Sequence, residues 1–145
     1  MTRIIGIDYG SKRVGLAISD GLGLTAQPLE VVSRATAVDR ILHLVGEHEV
    51  TTLVVGLPTG LSGGEGVSAN EARALGEELA SPDLNVEYID ERFTSRIAED
   101  VLLESGMKRK DRRDTVDKVA AAIILQGYLD QRARGNSDSG NPGVH

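Results

Sequence analysis

The chain has no cysteine and no tryptophan, and its aromatic rings are one phenylalanine and three tyrosines. Without cysteine there is no disulfide framework, no thiolate metal site and no thiol nucleophile, which suits a reducing compartment. Histidine is scarce as well. His43 and His48 fall in one helical stretch and His145 ends the chain, a spacing that offers zinc no ligand set. Phe93, Tyr9, Tyr88 and Tyr128 are the only rings on which single-stranded bases could stack. No apolar run approaches the roughly 18 residues of a membrane span. The longest, Val119 to Leu125, is far too short, so no membrane partner is expected. Met1-Thr2-Arg3 leads straight into an apolar strand without the segments of a secretory leader. The expectation is a cytoplasmic protein.

What is present begins with size. A chain of 145 residues is long enough for one domain that buries roughly two-thirds of its unfolded surface. Its net charge of −6 argues against nucleic-acid binding driven by bulk electrostatics. The distribution of charge points the other way. Lys108-Arg109-Lys110-Asp111-Arg112-Arg113 gathers five bases around one acid, and Arg92, Arg96, Lys12 and Arg13 also fall near acidic residues singled out below. A basic run of this kind is either a solvated charged loop or a set of phosphate contacts.

Strand and helix alternate along the chain. Residues 3 to 9 and 13 to 19 are apolar runs joined by Gly10-Ser11-Lys12, a hairpin signal. A short strand is expected around Leu29 to Ser33, and a helix over Ala37 to Glu49 from the spacing of Val38, Ile41, Leu42 and Val45. Thr51 to Leu57 reads as a strand ended by Pro58, Ser68 to Leu79 as a helix, and Val86 to Asp90 as a strand. That order implies parallel pairing in an α/β fold. Helices over Ser95 to Glu104 and Thr115 to Gln131 close the domain, the second apolar around most of its circumference. The expected organisation is one domain, residues 1–133, followed by a disordered tail, 134–145.

Three carboxylates stand where polar residues are costly or conspicuous. Asp8 ends the run Ile4-Ile5-Gly6-Ile7, where a charge needs a partner, a metal or a turn to cap. Glu91 ends its strand, and regular alternation puts it on a face with Glu87 and Ile89, leaving Asp90 as a rival on the other. Asp117 precedes Val119-Ala120-Ala121-Ala122, with Asp114 as the expected N-cap and Asp117 as a first-turn acid favoured by the helix dipole. Small alanines there would let the helix approach the sheet and bring Asp117 towards the strand ends. Carboxylate oxygens of this kind suit Mg²⁺ or Mn²⁺, ions that also coordinate phosphate oxygens.

The blocks Ile5-Gly6-Ile7-Asp8-Tyr9-Gly10-Ser11-Lys12-Arg13-Val14-Gly15-Leu16-Ala17, Val55-Gly56-Leu57-Pro58, Asp90-Glu91-Arg92-Phe93-Thr94-Ser95 and Val116-Asp117-Lys118-Val119-Ala120-Ala121, with Ile124-Leu125-Gln126-Gly127-Tyr128-Leu129, resemble the YqgF (RuvX) family in order and cover nearly all but the tail. The resemblance implies an RNase H-like fold, a mixed five-stranded sheet flanked by helices. It also implies a nuclease similar to Holliday-junction resolvases and linked to trimming the 5′ end of precursor 16S rRNA. The family's acidic triad maps onto Asp8, Glu91 and Asp117, preferring Glu91 to Asp90. Asp114 has no place in that pattern.

The expected chemistry is phosphodiester hydrolysis assisted by Mg²⁺ or Mn²⁺ at Asp8, Glu91 and Asp117. Lys12, Arg13, Arg92, Arg96, Lys108, Arg109, Lys110, Arg112 and Arg113 would bind flanking phosphates, contacts that carry no base information. Expected partners are precursor rRNA or branched DNA, and ribosomal particles, with the protein a monomer or homodimer. Thr59 to Gly66 is glycine-rich but lacks the lysine and hydroxyl pair of a P-loop. It reads as a substrate-facing loop or a plain connection, followed by a Ser68/Glu71 capping box. Two other classes compete. Gly6 to Ser11 also resembles the phosphate hairpin of the sugar kinase, Hsp70 and actin superfamily, which needs two such domains to enclose ATP. A non-catalytic assembly factor would retain the acids for structure.

Overall fold

The computed structural model describes residues 3–58, 67–91 and 109–139. Five strands form one sheet: β1 (Arg3–Asp8), β2 (Arg13–Ser19), β3 (Ala26–Ser33), β4 (Val50–Pro58) and β5 (Asn85–Glu91). Their spatial order is β3-β2-β1-β4-β5. β1 pairs antiparallel with β2 and β2 with β3, whereas β4 lies parallel to both β1 and β5. The helices are α1 (Ala37–His48), α2 (Val67–Leu79) and α3 (Arg109–Ser139).

Strand alternation divides the core into two layers. On one face Ile5, Ile7, Val14, Leu16, Leu53, Val55 and Leu57 pack against Ile41 and Leu44 of α1 and Ala72, Leu75 and Leu79 of α2. On the other, Ile4, Ala17 and Val54 meet Ala121, Ile124, Leu125 and Leu129 of α3. The first layer is built from large aliphatics. The second begins with glycine and alanine, and that difference determines how close α3 comes. A Cβ on Gly6 would stand 2.7 Å from Leu125 Cβ and 3.0 Å from the Ala121 carbonyl oxygen. A Cβ on Gly15 would collide with the carbonyl of Asp117. The expected role of the alanines is thus shared with glycines of the sheet: helix and strands touch nearly backbone to backbone.

Further along α3, Tyr128 donates to the Glu87 carboxylate at 2.6 Å, tying the helix to β5. Burial, then the bond to Glu87 and its charge, pushes the phenol up to about 12. Gln126 accepts from the Ala26 amide at 2.9 Å and donates to the Leu24 carbonyl at 3.0 Å, fastening the start of β3.

Several local expectations need correction. β3 begins at Ala26 and runs through Pro28, ahead of the expected start near Leu29. α3 starts at Arg109, not Thr115. Arg and Lys are good helix formers, so Arg109 to Arg113 continue the helix upstream. Asp114 is therefore inside the helix rather than its N-cap, and the bases from Arg109 to Arg113 belong to the start of α3 rather than to a preceding loop. At its other end α3 reaches Ser139, into the stretch expected as tail. A helix nucleated on a buried face adds one hydrogen bond per further residue. α2 begins at Val67, which places Ser68 inside it. Glu71, expected to close a capping box, instead accepts from the Tyr9 hydroxyl at 3.0 Å. The expected helix over Ser95 to Glu104, the loop Thr59 to Gly66 and residues 140–145 lie outside the described residues.

Candidate active site

Asp8 is the last residue of β1, partly buried, and stands in register with Gly15 of β2 on one side and Gly56 of β4 on the other. Residues paired across strands share a face, and Gly6, two positions earlier, faces α3. Asp8 therefore belongs to the α3 face. Gly15, its cross-strand neighbour, lies directly under the Asp117 carbonyl. One glycine thus joins the positions of two carboxylates 109 residues apart in sequence (117 − 8).

Asp117 has been carried away from any helix terminus. It is the ninth residue of α3, counting from Arg109, whereas the helix dipole acts within about the first turn. Burial raises its pKa, and Arg13 is the opposing influence. Arg13 Nε lies 3.1 Å from Asp117 Oδ2, with the carboxylate side chain 20% exposed and the arginine 45%. Gly10, Ser11, Lys12, Arg13 and Asp117 line a cleft of about 420 Å³ at the β1–β2 turn. Lys12 and Arg13, expected to bind phosphate, line this cleft with Asp117, and Arg13 is paired with that acid. Sequence reasoning missed that pairing, and also the glycines that make the approach possible. Glycine inside an otherwise β-branched strand is the signal that would have pointed to close backbone contact.

Tyr9 continues past Asp8 on the opposite side of the sheet, where its ring packs against the α1–α2 layer. The Arg34 guanidinium stands 5.7 Å from the ring centre. Asp90 is in register with Leu57 and alternates with Val86 and Tyr88, all three of that same layer. Position 91, in register with Pro58, alternates with Glu87 and Ile89 on the α3 side. The backbone thus distinguishes the two positions that the sequence left as rivals. The side chains of Glu91, Arg109, Lys110, Arg112 and Arg113, and all of Arg92, Arg96 and Lys108, lie outside the described residues. Among the described residues no group of three acidic or histidine side chains is assembled.

The chemistry of the donors present suits a hard divalent cation. Asp117 is a carboxylate whose charge is penalised by burial, and Asp8 is a carboxylate on the same face at a strand end; oxygen ligands of this type bind Mg²⁺ or Mn²⁺. Holding a charge in a half-desolvated place should cost stability. A pKa raised by folding contributes stability that is fully present below the ordinary carboxylate range and lost as pH climbs through the raised value. At neutral pH and in EDTA, Asp117→Asn is therefore expected to stabilise the fold by roughly 0.5–1 kcal/mol, because the half-exposed Arg13 loses little. The corresponding rise in Tm is about 2–4 °C. A lowered Tm in the same buffer would show that the ion pair outweighs the burial penalty.

The strand order, with antiparallel β3-β2-β1 continued by parallel β4 and β5 and helices on both faces, is that of the RNase H-like proteins. The fold is shared with RuvC of Thermus thermophilus, solved in complex with a Holliday junction substrate, at a TM-score of 0.57 and 18% identity over 92% of this chain and 97% of that one. The model of the family described as "RuvX: Holliday junction resolvase" matches residues 2–131. This chain belongs to that family. It is 44% identical over 137 residues to a protein of Lactococcus lactis subsp. cremoris (strain SK11) named "Putative pre-16S rRNA nuclease", covering 90% of this chain and 96% of the relative. A protein of the same name from Symbiobacterium thermophilum is 47% identical over 135 residues, 90% of this chain and 94% of the relative.

Proposed function

We propose that the protein is a nuclease that hydrolyses phosphodiester bonds with Mg²⁺ or Mn²⁺ and processes the 5′ end of precursor 16S rRNA in the cytoplasm, on ribosomal particles. The observation that carries this reading is that Gly15, in register with Asp8, lies against the backbone of Asp117, in a chain whose relatives bear the name of pre-16S rRNA nucleases. Asp8, Asp117 and Glu91 would hold the cation. When bound, it would supply an activated water and stabilise charge on the leaving oxygen. The residues around it do the positioning. Lys12 stands at the cleft with Arg13, and the basic positions Arg109, Lys110, Arg112 and Arg113 occupy the start of α3. Helix propensity accounts for helical residues at these positions but not for their positive charge, because cations near a helix start oppose its dipole. Phosphate contact, with Arg92, Arg96 and Lys108, accounts for the charge.

A second reading is cleavage of branched DNA, favoured by the family's description as a Holliday junction resolvase. A four-way junction is two-fold symmetric and calls for a dimer, whereas an RNA end needs only a monomer. Cleavage of a precursor 16S 5′-end RNA and of a four-way DNA junction should be compared in Mg²⁺ and Mn²⁺, with sedimentation of the same samples. Cutting of the RNA alone by a monomer is the expected result. Cutting of the junction alone by a dimer would favour the second reading, and binding without cutting of either, by folded protein, would make this an assembly factor.

A further inference from the structure

The Arg13–Asp117 ion pair occupies one of the two oxygens through which Asp117 would hold a cation. Nε stands 3.1 Å from Oδ2, and Arg13 is the group that offsets the buried carboxylate's penalty. The arginine backbone is held firmly: it is in register with Ser33 of β3, and a Cβ on Gly10 would collide with its carbonyl. Its side chain is long, half-exposed and borders an open cleft shared with Ser11 and Lys12. A fixed backbone carrying a long, half-exposed charged side chain next to a cavity leaves that side chain room for a second resting place.

We propose that Arg13 is an exchange residue: its guanidinium holds Asp117 while the site lacks a cation and moves to a substrate phosphate when a divalent cation takes that carboxylate. The inference rests on reading Asp8 and Asp117 as cation ligands. A guanidinium and a divalent cation repel one another and compete for one carboxylate oxygen. A phosphate removes the competition, because the planar fork of arginine matches its oxygens as well as it matches a carboxylate. The consequence is positive coupling. Nucleic acid draws Arg13 away and tightens cation binding, and by linkage the cation tightens nucleic-acid binding by the same factor. In the free protein Arg13 keeps cation affinity low, which would confine the loaded site to protein already on its substrate.

The test measures Mn²⁺ affinity from the electron paramagnetic resonance signal of the free ion, and binding of a fluorescein-labelled precursor 16S 5′-end RNA by anisotropy. The proteins are wild type, Asp8→Asn and Arg13→Gln. Arg13→Gln is expected to bind Mn²⁺ about three- to tenfold more tightly in the absence of RNA. It should bind RNA more weakly and lose most of the Mn²⁺–RNA coupling. An arginine that only braced the fold would not move the two affinities in opposite directions. Unchanged or weaker Mn²⁺ binding by Arg13→Gln, while wild type still binds Mn²⁺ in an Asp8-dependent way, overturns the exchange but not the nuclease reading. Mn²⁺ binding that is absent, or indifferent to Asp8→Asn, overturns both. If Arg13→Gln does not fold, the Nε–H resonance of Arg13 in wild-type protein, identified by its loss in Arg13→Lys, decides the matter. It should shift as Mg²⁺ fills the site, and a resonance that stays in place at saturation overturns the proposal.

Discussion

Gly15→Ala is expected to be among the most destabilising single-methyl additions in this protein, costing about 3 kcal/mol or more in urea denaturation. The added Cβ would collide with the Asp117 carbonyl and lie 2.9 Å from the Lys118 amide nitrogen. These are backbone atoms of a helix whose Ala120, Ala121 and Leu125 are fully buried, so no side-chain rotation relieves the clash. Overpacking a filled core costs about 1–3 kcal/mol where neighbours can adjust, and a helix that must move as a body adjusts poorly. Gly6→Ala meets Leu125 and Ala121 less severely and should cost less. Gly127→Ala, where a Cβ meets nothing within 4 Å, should instead stabilise by about 0.5–1 kcal/mol, since glycine inside a helix is the poorer choice. The contrast separates close approach from glycine as such. A loss of under about 1 kcal/mol for Gly15→Ala would mean that α3 does not bear on the sheet at this point.

Asp8→Asn is expected to act on chemistry rather than on folding. Asp8 is partly exposed at a strand end, and asparagine keeps its shape, so stability should change by less than about 1 kcal/mol. Cleavage should fall by at least about a thousandfold, corresponding to ~4 kcal/mol of lost charge stabilisation at the reacting phosphate. RNA binding without divalent cations should persist, because the phosphate contacts proposed above come from basic residues elsewhere. The readout is single-turnover cleavage in Mg²⁺ and Mn²⁺, with anisotropy in EDTA on the same preparation. Activity within tenfold of wild type would remove Asp8 from the site. Loss of cleavage together with loss of binding would recast it as a structural residue at the hairpin.

Much of the architecture was legible because its signals are local. The apolar runs before Asp8 and after Arg13, the turn between them and the helical spacing of Ile41 and Val45 specify elements through periodicity alone, and β1, β2 and α1 fall where those signals put them. Boundaries were legible only where a breaker stands. Pro58 ends β4 as expected, whereas the start of α3 was misplaced because Asp114-Thr115 looks like a cap and Arg109 to Arg113, good helix formers, carry no apolar period. The choice between Asp90 and Glu91 shows the limit of local reading. Alternation says that the two face opposite ways, but not which face of the sheet α3 will cover.

The sequence by itself determined the α/β order, the apolar strands, the buried character of α3 and, by resemblance, the family. Tertiary structure decided which of these meet. Gly6 and Gly15 are small wherever they fall in a chain; their significance arises only when α3 lies across them and brings Asp117 beside the strand that pairs with Asp8. The Arg13–Asp117 contact likewise joins residues more than a hundred positions apart. No local pattern encodes such a contact, because its geometry is set by how closely two backbones pack rather than by either segment's own propensity.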